Sequence, residues 1–174
     1  MVKKSFGDMH CTLAQALDVI GEWWSMLIVR DFFFGGGVRR FEQLRDGLGI
    51  SRNILTERLR TLTDAGVIER IPLREGGKRC AYQLTAKGEA LMPVMIAMMQ
   101  WSEEWQCTPE QRFIVVRDRE TGEEVAPLEL RSADGRAVKM QDLFITAIGP
   151  DGERRVTEWP LPISEPDAMQ SQGS

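Results

Sequence analysis

The chain has 174 residues, of which 43% are apolar and 28% charged, a balance typical of globular rather than disordered proteins. No stretch approaches the ~20 apolar residues that cross a bilayer, and residues 1–10 lack the apolar core of a signal peptide. We therefore expect a cytoplasmic protein that is neither secreted nor inserted in a membrane. Three widely spaced cysteines and one histidine match no zinc motif and no disulfide framework.

The net charge of −4 is unevenly distributed along the chain. Residues 1–106 hold 14 Lys and Arg against 13 Asp and Glu, whereas residues 107–174 hold 8 against 13. Within the first part, residues 38–87 hold 11 basic and 6 acidic side chains, a net charge of +5. Phosphate contacts act within a Debye length of roughly 8 Å, so this local excess is compatible with DNA binding despite the acidic total.

The N-terminal segment predicts two helices. Thr12 followed by Gln15 has the pattern of a capping box that opens a short helix, which ends at Gly21. The nearly all-apolar segment from Trp23 to Phe34 predicts a buried central helix. The three glycines at 35–37 end that helix in a flexible turn, because a phosphate loop would also need a preceding strand and a Gly-Lys-Ser/Thr sequence.

Two further helices are joined by a tight turn. The segment from Phe41 to Leu48 places its apolar side chains on one helical face, and Gly49 then turns the chain. Ser51 is placed to cap a second helix, Arg52 to Ala65. The predicted inward side chains of that helix are Ile54, Leu55, Leu59 and Leu62. Two helices joined in this way form a helix-turn-helix, in which the second is the recognition helix.

A basic hairpin follows the helix pair. Strands at Val67–Ile71 and Cys80–Leu84 flank a Gly-Gly turn, which predicts a β-hairpin. Thr85 is placed to cap a long helix, from about Ala86 to Gln106. A helix-turn-helix followed by a basic hairpin is the arrangement of a winged helix, so an α+β fold is predicted.

Beyond Cys107 the sequence is typical of a β-rich extension. The predicted strands are Phe113–Val116, Val125–Leu130, Ala137–Met140 and Leu143–Ile148. The pairs Thr121-Gly122 and Asp134-Gly135 and the segment Pro150-Asp151-Gly152 are typical hairpin turns. We expect a small antiparallel meander of three or four strands over residues 108–160, of unknown role, and a flexible tail over residues 161–174.

The candidate DNA contacts on the recognition helix lie on its outer face. They are Ser51, Arg52, Asn53, Thr56, Glu57 and Arg60. Arg and Asn suit guanine and adenine edges in the major groove, and Thr suits a phosphate or a thymine methyl. Glu57 is repelled by phosphate unless it accepts a hydrogen bond from a cytosine amine or orients Arg58 or Arg60. An ordinary solvated helix face is the alternative interpretation.

Basic residues outside the recognition helix are candidates for phosphate contact. The hairpin tip bears Arg74, Lys78 and Arg79 around its two glycines. These side chains suit the sugar-phosphate backbone or the minor groove, and a plain solvated turn is the alternative. Arg39 and Arg40, just before the first helix of the pair, rank below the tip residues as candidates.

The sequence resembles the HxlR-type bacterial transcription regulators over about residues 9–105. The similarity lies in several motifs with the order and spacing of that family: CTLAQALDVIG at 11–21, RRFEQL at 39–44, LTERLR at 55–60 and YQLTAKG at 82–88. The resemblance implies a MarR-like winged helix-turn-helix domain over residues 1–107, with a long C-terminal dimerisation helix. It further implies a homodimer that binds a palindromic operator in double-stranded DNA.

In that family the N-terminal helix and the last long helix form the dimer interface. The candidate residues here are Leu13, Leu17, Leu91, Met95, Met98, Trp101 and Trp105. The broad apolar stripe on the last helix independently favours such an interface, because one winged helix cannot easily cover it all. Ordinary core packing and an adaptable Met-rich ligand surface are the alternatives.

Cys11 matches the cysteine that begins the domain in this family, and some members sense oxidants or electrophiles with that thiol. It lies at the start of a predicted helix beside His10, two features that favour a thiolate. Simple packing of a small apolar side chain is the alternative for this candidate redox sensor. Cys80 and Cys107 are expected to be structural, although Cys107 could pair across a dimer.

These features predict a sequence-specific DNA-binding regulator, a repressor that responds to an oxidant, electrophile or small-molecule effector. An enzyme is not expected, because the chain has one His, no His-Glu-x-x-His, no Gly-x-Ser-x-Gly and no phosphate loop. No cofactor or metal is expected either. The alternative is a winged-helix protein-interaction module without specific DNA binding. Outward Arg52, Asn53 and Arg60 argue against it, because protein interfaces more often bury aromatic residues.

Overall fold

The computed structural model describes residues 6, 10–74, 79–149 and 152–158. The chain divides into two compact units, residues 1–128 and 129–174. The elements of the first unit are α1 (Thr12–Ile20), α2 (Trp23–Phe34), β1 (Val38–Arg40), α3 (Phe41–Leu48), α4 (Arg52–Asp64), β2 (Ile68–Pro72), β3 (Cys80–Leu84), α5 (Ala86–Glu89) and α6 (Met92–Trp105). The second unit contains β4 (Phe144–Ile148) and β5 (Arg154–Glu158). No described helix is long and apolar enough to cross a membrane.

The core of the first unit is formed mainly by α2 and α4. Its buried apolar side chains include Ile28, Val29 and Phe32 of α2, Leu44 of α3, and Leu55, Leu59 and Leu62 of α4. They recur at helical spacing, so each helix turns one face inward. The prediction for Ile54 is wrong, because its side chain is 41% exposed at the edge of that face. Trp23, at the start of the predicted buried helix, is also exposed.

The helix-turn-helix formed by α3 and α4 is confirmed, with the predicted turn and cap. Gly49 has a φ of +64°, a left-handed conformation that favours glycine. The Oγ of Ser51 accepts a hydrogen bond from the Ile54 N–H at 3.4 Å and caps α4. Gly66 follows the end of α4 with a φ of +69°. Gly49 and Ser51 therefore set where the recognition helix begins, and Gly66 sets where it ends.

The wing is a three-stranded antiparallel sheet in the order β1-β3-β2. The predicted hairpin is confirmed, with β2 and β3 paired from Ile68–Leu84 to Pro72–Cys80. The sequence analysis missed β1, which pairs with β3 from Val38–Gln83 to Arg40–Ala81. The tip of the hairpin, residues 75–78 including Lys78, lies outside the described residues.

The capping box predicted at Thr12 is wrong. Cys11 occupies the N-cap position with an extended backbone, and no side chain caps the helix. Thr12 is already the first helical residue, so the box was placed one residue too late. The helix itself is confirmed.

The predicted single helix from Ala86 to Gln106 is two helices, α5 and α6, separated at residues 90–91. The Thr85 cap is confirmed, since its Oγ1 accepts a hydrogen bond from the Gly88 N–H at 3.2 Å. Pro93 lies in the first turn of α6. Proline has no N–H and clashes with the preceding turn, so it is tolerated at a helix start but not in an interior.

The start of α5 is bonded to the end of α4. Thr85 Oγ1 donates to the Gly66 carbonyl at 2.6 Å, and Lys87 Nζ donates to the Ala65 carbonyl at 2.8 Å. Gly88 is buried against the Val67 carbonyl. These contacts satisfy carbonyls at the end of the recognition helix and join that helix to the segment leading to α6.

The predicted meander forms only in part: its turns and the strand at 143–148 are confirmed, but its other strands are not regular. The segments at 113–116, 125–130 and 137–140 form no regular strands. They still approach one another, because the Val125 N–H donates to the Val116 carbonyl and the Val138 N–H to the Leu130 carbonyl, beside the isolated bridges Arg117–Glu124 and Arg131–Ala137. Gly122, Gly135 and Gly152 have positive φ, as the predicted turns require. Within the described residues, regular pairing in the second unit is confined to β4 and β5, and β5 was not predicted. The predicted tail at 161–174 lies outside the described residues.

Two helical glycines give a matched test of this packing. Gly88→Ala should lower the free energy of unfolding by about 1–3 kcal/mol, because its Cβ would lie 2.2 Å from the Val67 carbonyl oxygen. Gly47→Ala in α3 should raise it by about 0.5–1 kcal/mol, since its Cβ would meet only Asp31 Oδ2 at 3.6 Å. Urea denaturation measures both changes. Equal effects of the two substitutions would contradict the close approach at Gly88.

Candidate nucleic-acid interface

The outer face of α4 is polar and open to solvent. All six residues predicted to contact DNA from this helix are exposed: Ser51, Arg52, Asn53, Thr56, Glu57 and Arg60. Four of them, Asn53, Thr56, Glu57 and Arg60, line one shallow concave surface. The opposite face of α4 is fixed in the core by its buried leucines, so this polar surface is held outward.

Arg52 is in contact with α3. Its Nη2 donates a hydrogen bond to Glu42 Oε1 at 2.8 Å, and its guanidinium lies 5.0 Å from the centroid of the Phe41 ring. The sequence analysis missed these two contacts, because they join residues on different helices. Glu42 also pairs with Arg45, at 2.5 Å. These contacts hold the Arg52 guanidinium in place near the beginning of the recognition helix.

Thr56 presents a methyl group rather than a free hydroxyl proton. Its Oγ1 donates to the backbone carbonyl of Arg52 at 2.8 Å. A phosphate oxygen needs a donor, and in this conformation the single hydroxyl proton is already used. Of the two roles predicted for Thr56, contact with a thymine methyl therefore fits this conformation better.

Glu57 is paired with Arg58. From the sequence alone it was open whether Glu57 binds a cytosine amine or orients Arg58 or Arg60. Arg58 Nη2 donates to Glu57 Oε1. The Arg58 side chain is only 8% exposed, whereas that of Glu57 is 57% exposed. A buried guanidinium beside Glu57 offsets its negative charge, which reduces the repulsion that phosphate would otherwise exert on this face.

A basic groove lies between the start of α3 and the wing. It has a volume of about 900 Å³ and is lined by Arg40, Phe41, Glu42, Gln43, Leu73, Arg74, Arg79 and Cys80. Three of these side chains, Arg40, Arg74 and Arg79, were predicted to contact phosphate, and all three are exposed. The structure thus brings together predicted residues from two separate parts of the sequence.

Arg39 differs from its neighbour Arg40. It is half-buried, and its Nε donates to the Asp31 carbonyl near the end of α2 at 3.2 Å. Its guanidinium fills the space that a Cβ on Gly35 would occupy. Arg39 therefore stabilises the end of α2, which leaves Arg40 as the better candidate for phosphate contact.

Neighbouring groups raise the pKa of two arginines, Arg45 on α3 and Arg70 on β2. The hydrogen bond to Asp46 raises the pKa of Arg45. A hydrogen bond to the Cys80 sulfur, at 3.1 Å, raises the pKa of Arg70 on β2. Burial raises the pKa of Tyr82, so its phenol stays neutral.

The predicted dimerisation residues are mostly exposed on α1 and α6. They are Leu13, Leu17, Met98, Trp101 and Trp105, with Leu91 half-buried. Met95 is 5% exposed and packs in the core of its own chain. It therefore has little surface to offer a partner.

Another part of α6 is covered by the same chain. The Leu128 N–H donates to Gln100 Oε1 at 3.1 Å, and Arg112 pairs with Glu103 at 3.3 Å. Arg112 also bonds Glu124, and this hydrogen bond lowers the pKa of the Glu124 carboxyl. Residues 109–128 thus lie along α6, although the sequence analysis grouped them with the extension.

The three cysteines differ in exposure. Cys11 lies at the start of a helix, as predicted, and is exposed at the N-cap of α1, while Cys80 and Cys107 are half-buried. Among the described residues, no group of three or more His, Cys, Asp or Glu side chains is arranged to hold a metal ion.

The fold and this surface define a winged-helix transcription regulator. The chain belongs to the HxlR-like helix-turn-helix family, whose model matches residues 19–110. It is 40% identical over 116 residues to the uncharacterised HTH-type transcriptional regulator Rv3095 of Mycobacterium tuberculosis, covering 67% of this chain and 72% of the relative. It is also 32% identical to the HTH-type transcriptional regulator YodB of Bacillus subtilis, covering 59% of this chain and 91% of that one.

Two solved structures extend this similarity. PA1607, proposed to be a transcription factor, matches with a TM-score of 0.74 at 39% identity, over 82% of this chain and 98% of its own. PA1374 of Pseudomonas aeruginosa matches with a TM-score of 0.55 at 36% identity, over 82% and 95%. Residues 1–110 are less than 82% of the chain, so both matches reach into the extension. The relatives are transcription regulators, and the chain is not an enzyme.

Arg39 and Arg40 are expected to behave differently when replaced. Arg39→Ala should lower the free energy of unfolding by about 1 kcal/mol, because it removes a hydrogen bond to the end of α2. Arg40→Ala should change stability by less than about 0.5 kcal/mol and weaken DNA binding instead. Thermal denaturation measures the first effect and fluorescence anisotropy the second. An Arg39→Ala variant with native stability and weakened DNA binding would reverse our assignment.

Proposed function

We propose that this transcription regulator is a cytoplasmic repressor that binds double-stranded DNA at a specific operator. The observation that carries the proposal is the exposed polar face of α4, held outward by the leucines buried on its other side. An α-helix fits into the major groove of B-DNA, where Arg and Asn side chains distinguish base pairs by their hydrogen-bonding edges. Asn53 and Arg60 supply those groups.

The basic groove between α3 and the wing supports a second set of contacts, those with the DNA backbone. Arg40, Arg74 and Arg79 line it, and each can neutralise a backbone phosphate. Such contacts supply affinity without sequence preference, while the α4 contacts supply the preference. The division of roles gives each class of residue a distinct experimental signature.

We propose that the active form is a homodimer through α1 and α6. Exposed Leu13 and Leu17 of α1 and Met98, Trp101 and Trp105 of α6 provide the apolar surface. Aromatic residues and methionine are enriched where protein subunits meet. A twofold dimer places two recognition helices in successive major grooves, which is why the operator is expected to be palindromic.

We propose that the effector is an oxidant or electrophile that acts on Cys11. Reactive cysteines must be accessible, and Cys11 is more exposed than Cys80 or Cys107. Cys11→Ser should abolish the release of DNA by an alkylating electrophile, whereas Cys107→Ser should preserve it. An unchanged response in the Cys11 variant would remove this part of the proposal.

DNA binding is tested with the purified chain and fragments from upstream of its own and neighbouring genes. We expect one fragment to bind specifically, with log affinity falling against log salt by about 0.9 per phosphate contact. Arg79→Ala should weaken all sequences alike and reduce that slope by about 1. Asn53→Ala should relax the preference for the specific fragment by roughly 1–3 kcal/mol while the slope is kept.

The absence of salt-sensitive binding to any such fragment would contradict the proposal. It would favour the alternative, a winged helix that binds another protein. Lys139→Ala, outside the unit that contains the helix-turn-helix, removes one positive charge and serves as the control for Arg79→Ala. It should leave both affinity and slope unchanged.

The dimer is tested with one charge placed in the proposed interface. Trp101→Glu should give a monomer at micromolar concentration, because it buries a carboxylate in an apolar interface. Ile54→Glu, at an exposed apolar position on α4, is the matched control and should stay dimeric. Sedimentation equilibrium distinguishes the two. A Trp101→Glu variant that stays dimeric would place the interface elsewhere.

A further inference from the structure

We infer that Glu42 and Phe41, on the first helix of the helix-turn-helix, position Arg52 to recognise a guanine in the operator. The inference rests on the proposed DNA binding and adds two residues to it. Neither residue is predicted from the sequence to take part in base recognition. They touch DNA only through Arg52, so they are positioning residues.

Two contacts restrain the guanidinium of Arg52. The Phe41 ring lies 5.0 Å from the guanidinium carbon, within the ~6 Å range of a cation–π contact. Glu42 Oε1 accepts from Nη2 at 2.8 Å. The ring restrains the position of the group, and the bond to the carboxylate restrains its rotation.

These contacts leave the guanidinium able to bind a base. A guanidinium has five N–H donors, and Glu42 accepts from one of them. The Arg52 side chain is still 62% exposed. Long side chains lose rotamer freedom when they bind, and a side chain already held loses less. The arrangement therefore lowers the entropic cost of a contact with a base.

Guanine is the base that this group suits. Arginine donates two parallel hydrogen bonds to guanine O6 and N7, the commonest specific contact in the major groove. Arg52 is the first residue of α4, and residues at the start of a recognition helix reach base edges. A guanidinium that is already restrained loses less freedom when it makes this planar, two-bond contact.

The charge of Glu42 is balanced where it faces DNA. One oxygen bonds Arg52 and the other lies 2.5 Å from Arg45 Nη1. Arg45 also pairs with Asp46, so two guanidinium groups balance two carboxylates and Glu42 presents no unpaired negative charge to phosphate. If Glu42 instead held Arg52 away from DNA, its removal would strengthen guanine recognition. The two mechanisms thus predict opposite results.

The test measures base preference position by position. The full chain and its variants select from a pool of random double-stranded DNA, and the selected sequences are read. Glu42→Gln removes the carboxylate at constant size. Asp46→Asn is the matched control, because Asp46 lies on the same helix and pairs with Arg45. Both substitutions change the net charge equally.

Wild-type protein should prefer guanine at one position of each half-site. Arg52→Ala should lose that preference by about 10- to 100-fold. Glu42→Gln should reduce it by about 2- to 10-fold at that position only, and Asp46→Asn should leave it intact. In an Arg52→Ala background, Glu42→Gln should have no further effect, because the coupled partner is gone.

An unchanged or stronger guanine preference in Glu42→Gln would overturn the inference, as would an equal loss at every position. Melting curves by circular dichroism identify a variant that fails to fold. Phe41→Leu, which keeps an apolar side chain, would then replace Glu42→Gln with the same expected loss. If wild-type protein selects no motif at all, the proposed DNA binding itself fails, which is a different result from the loss at one position.

Discussion

The burial of one face of α4 against α2 is the constraint on which the rest of the structure depends. Leu55, Leu59 and Leu62 lie in the same core as Ile28 and Phe32, and apolar burial of this kind dominates the stability of a domain. A helix with one face buried must expose the other. The polar face of α4 is therefore held outward by the same packing that stabilises the unit.

The contacts at the end of α4 extend this constraint to the rest of the winged helix. Thr85 and Lys87 bond the last carbonyls of α4 and its turn, and Gly88 allows the close approach. The chain then continues through α5 into α6, the helix with the exposed tryptophans. The recognition helix is thus joined to α6 through a short and well-bonded connection.

The sequence predicted those features that local chemistry determines. Gly49 and Ser51 placed the turn and the start of α4 because their backbone and capping preferences act within a few residues. It could not predict β1, whose three residues pair with a strand some forty positions away. The contact of Arg52 with Glu42 also depends on how two helices pack. In the extension, the turns were predictable, but strands need partners that the sequence pattern does not identify.

The central claim is that the exposed face of α4 contacts DNA, and photo-crosslinking tests it most directly. A photoreactive phenylalanine analogue replaces Thr56 on α4 in one sample and Thr121, an exposed turn residue, in another. Each protein is irradiated with labelled operator DNA selected by the wild type. We predict a crosslink from position 56 and none from position 121. A crosslink from position 121 alone would contradict the account.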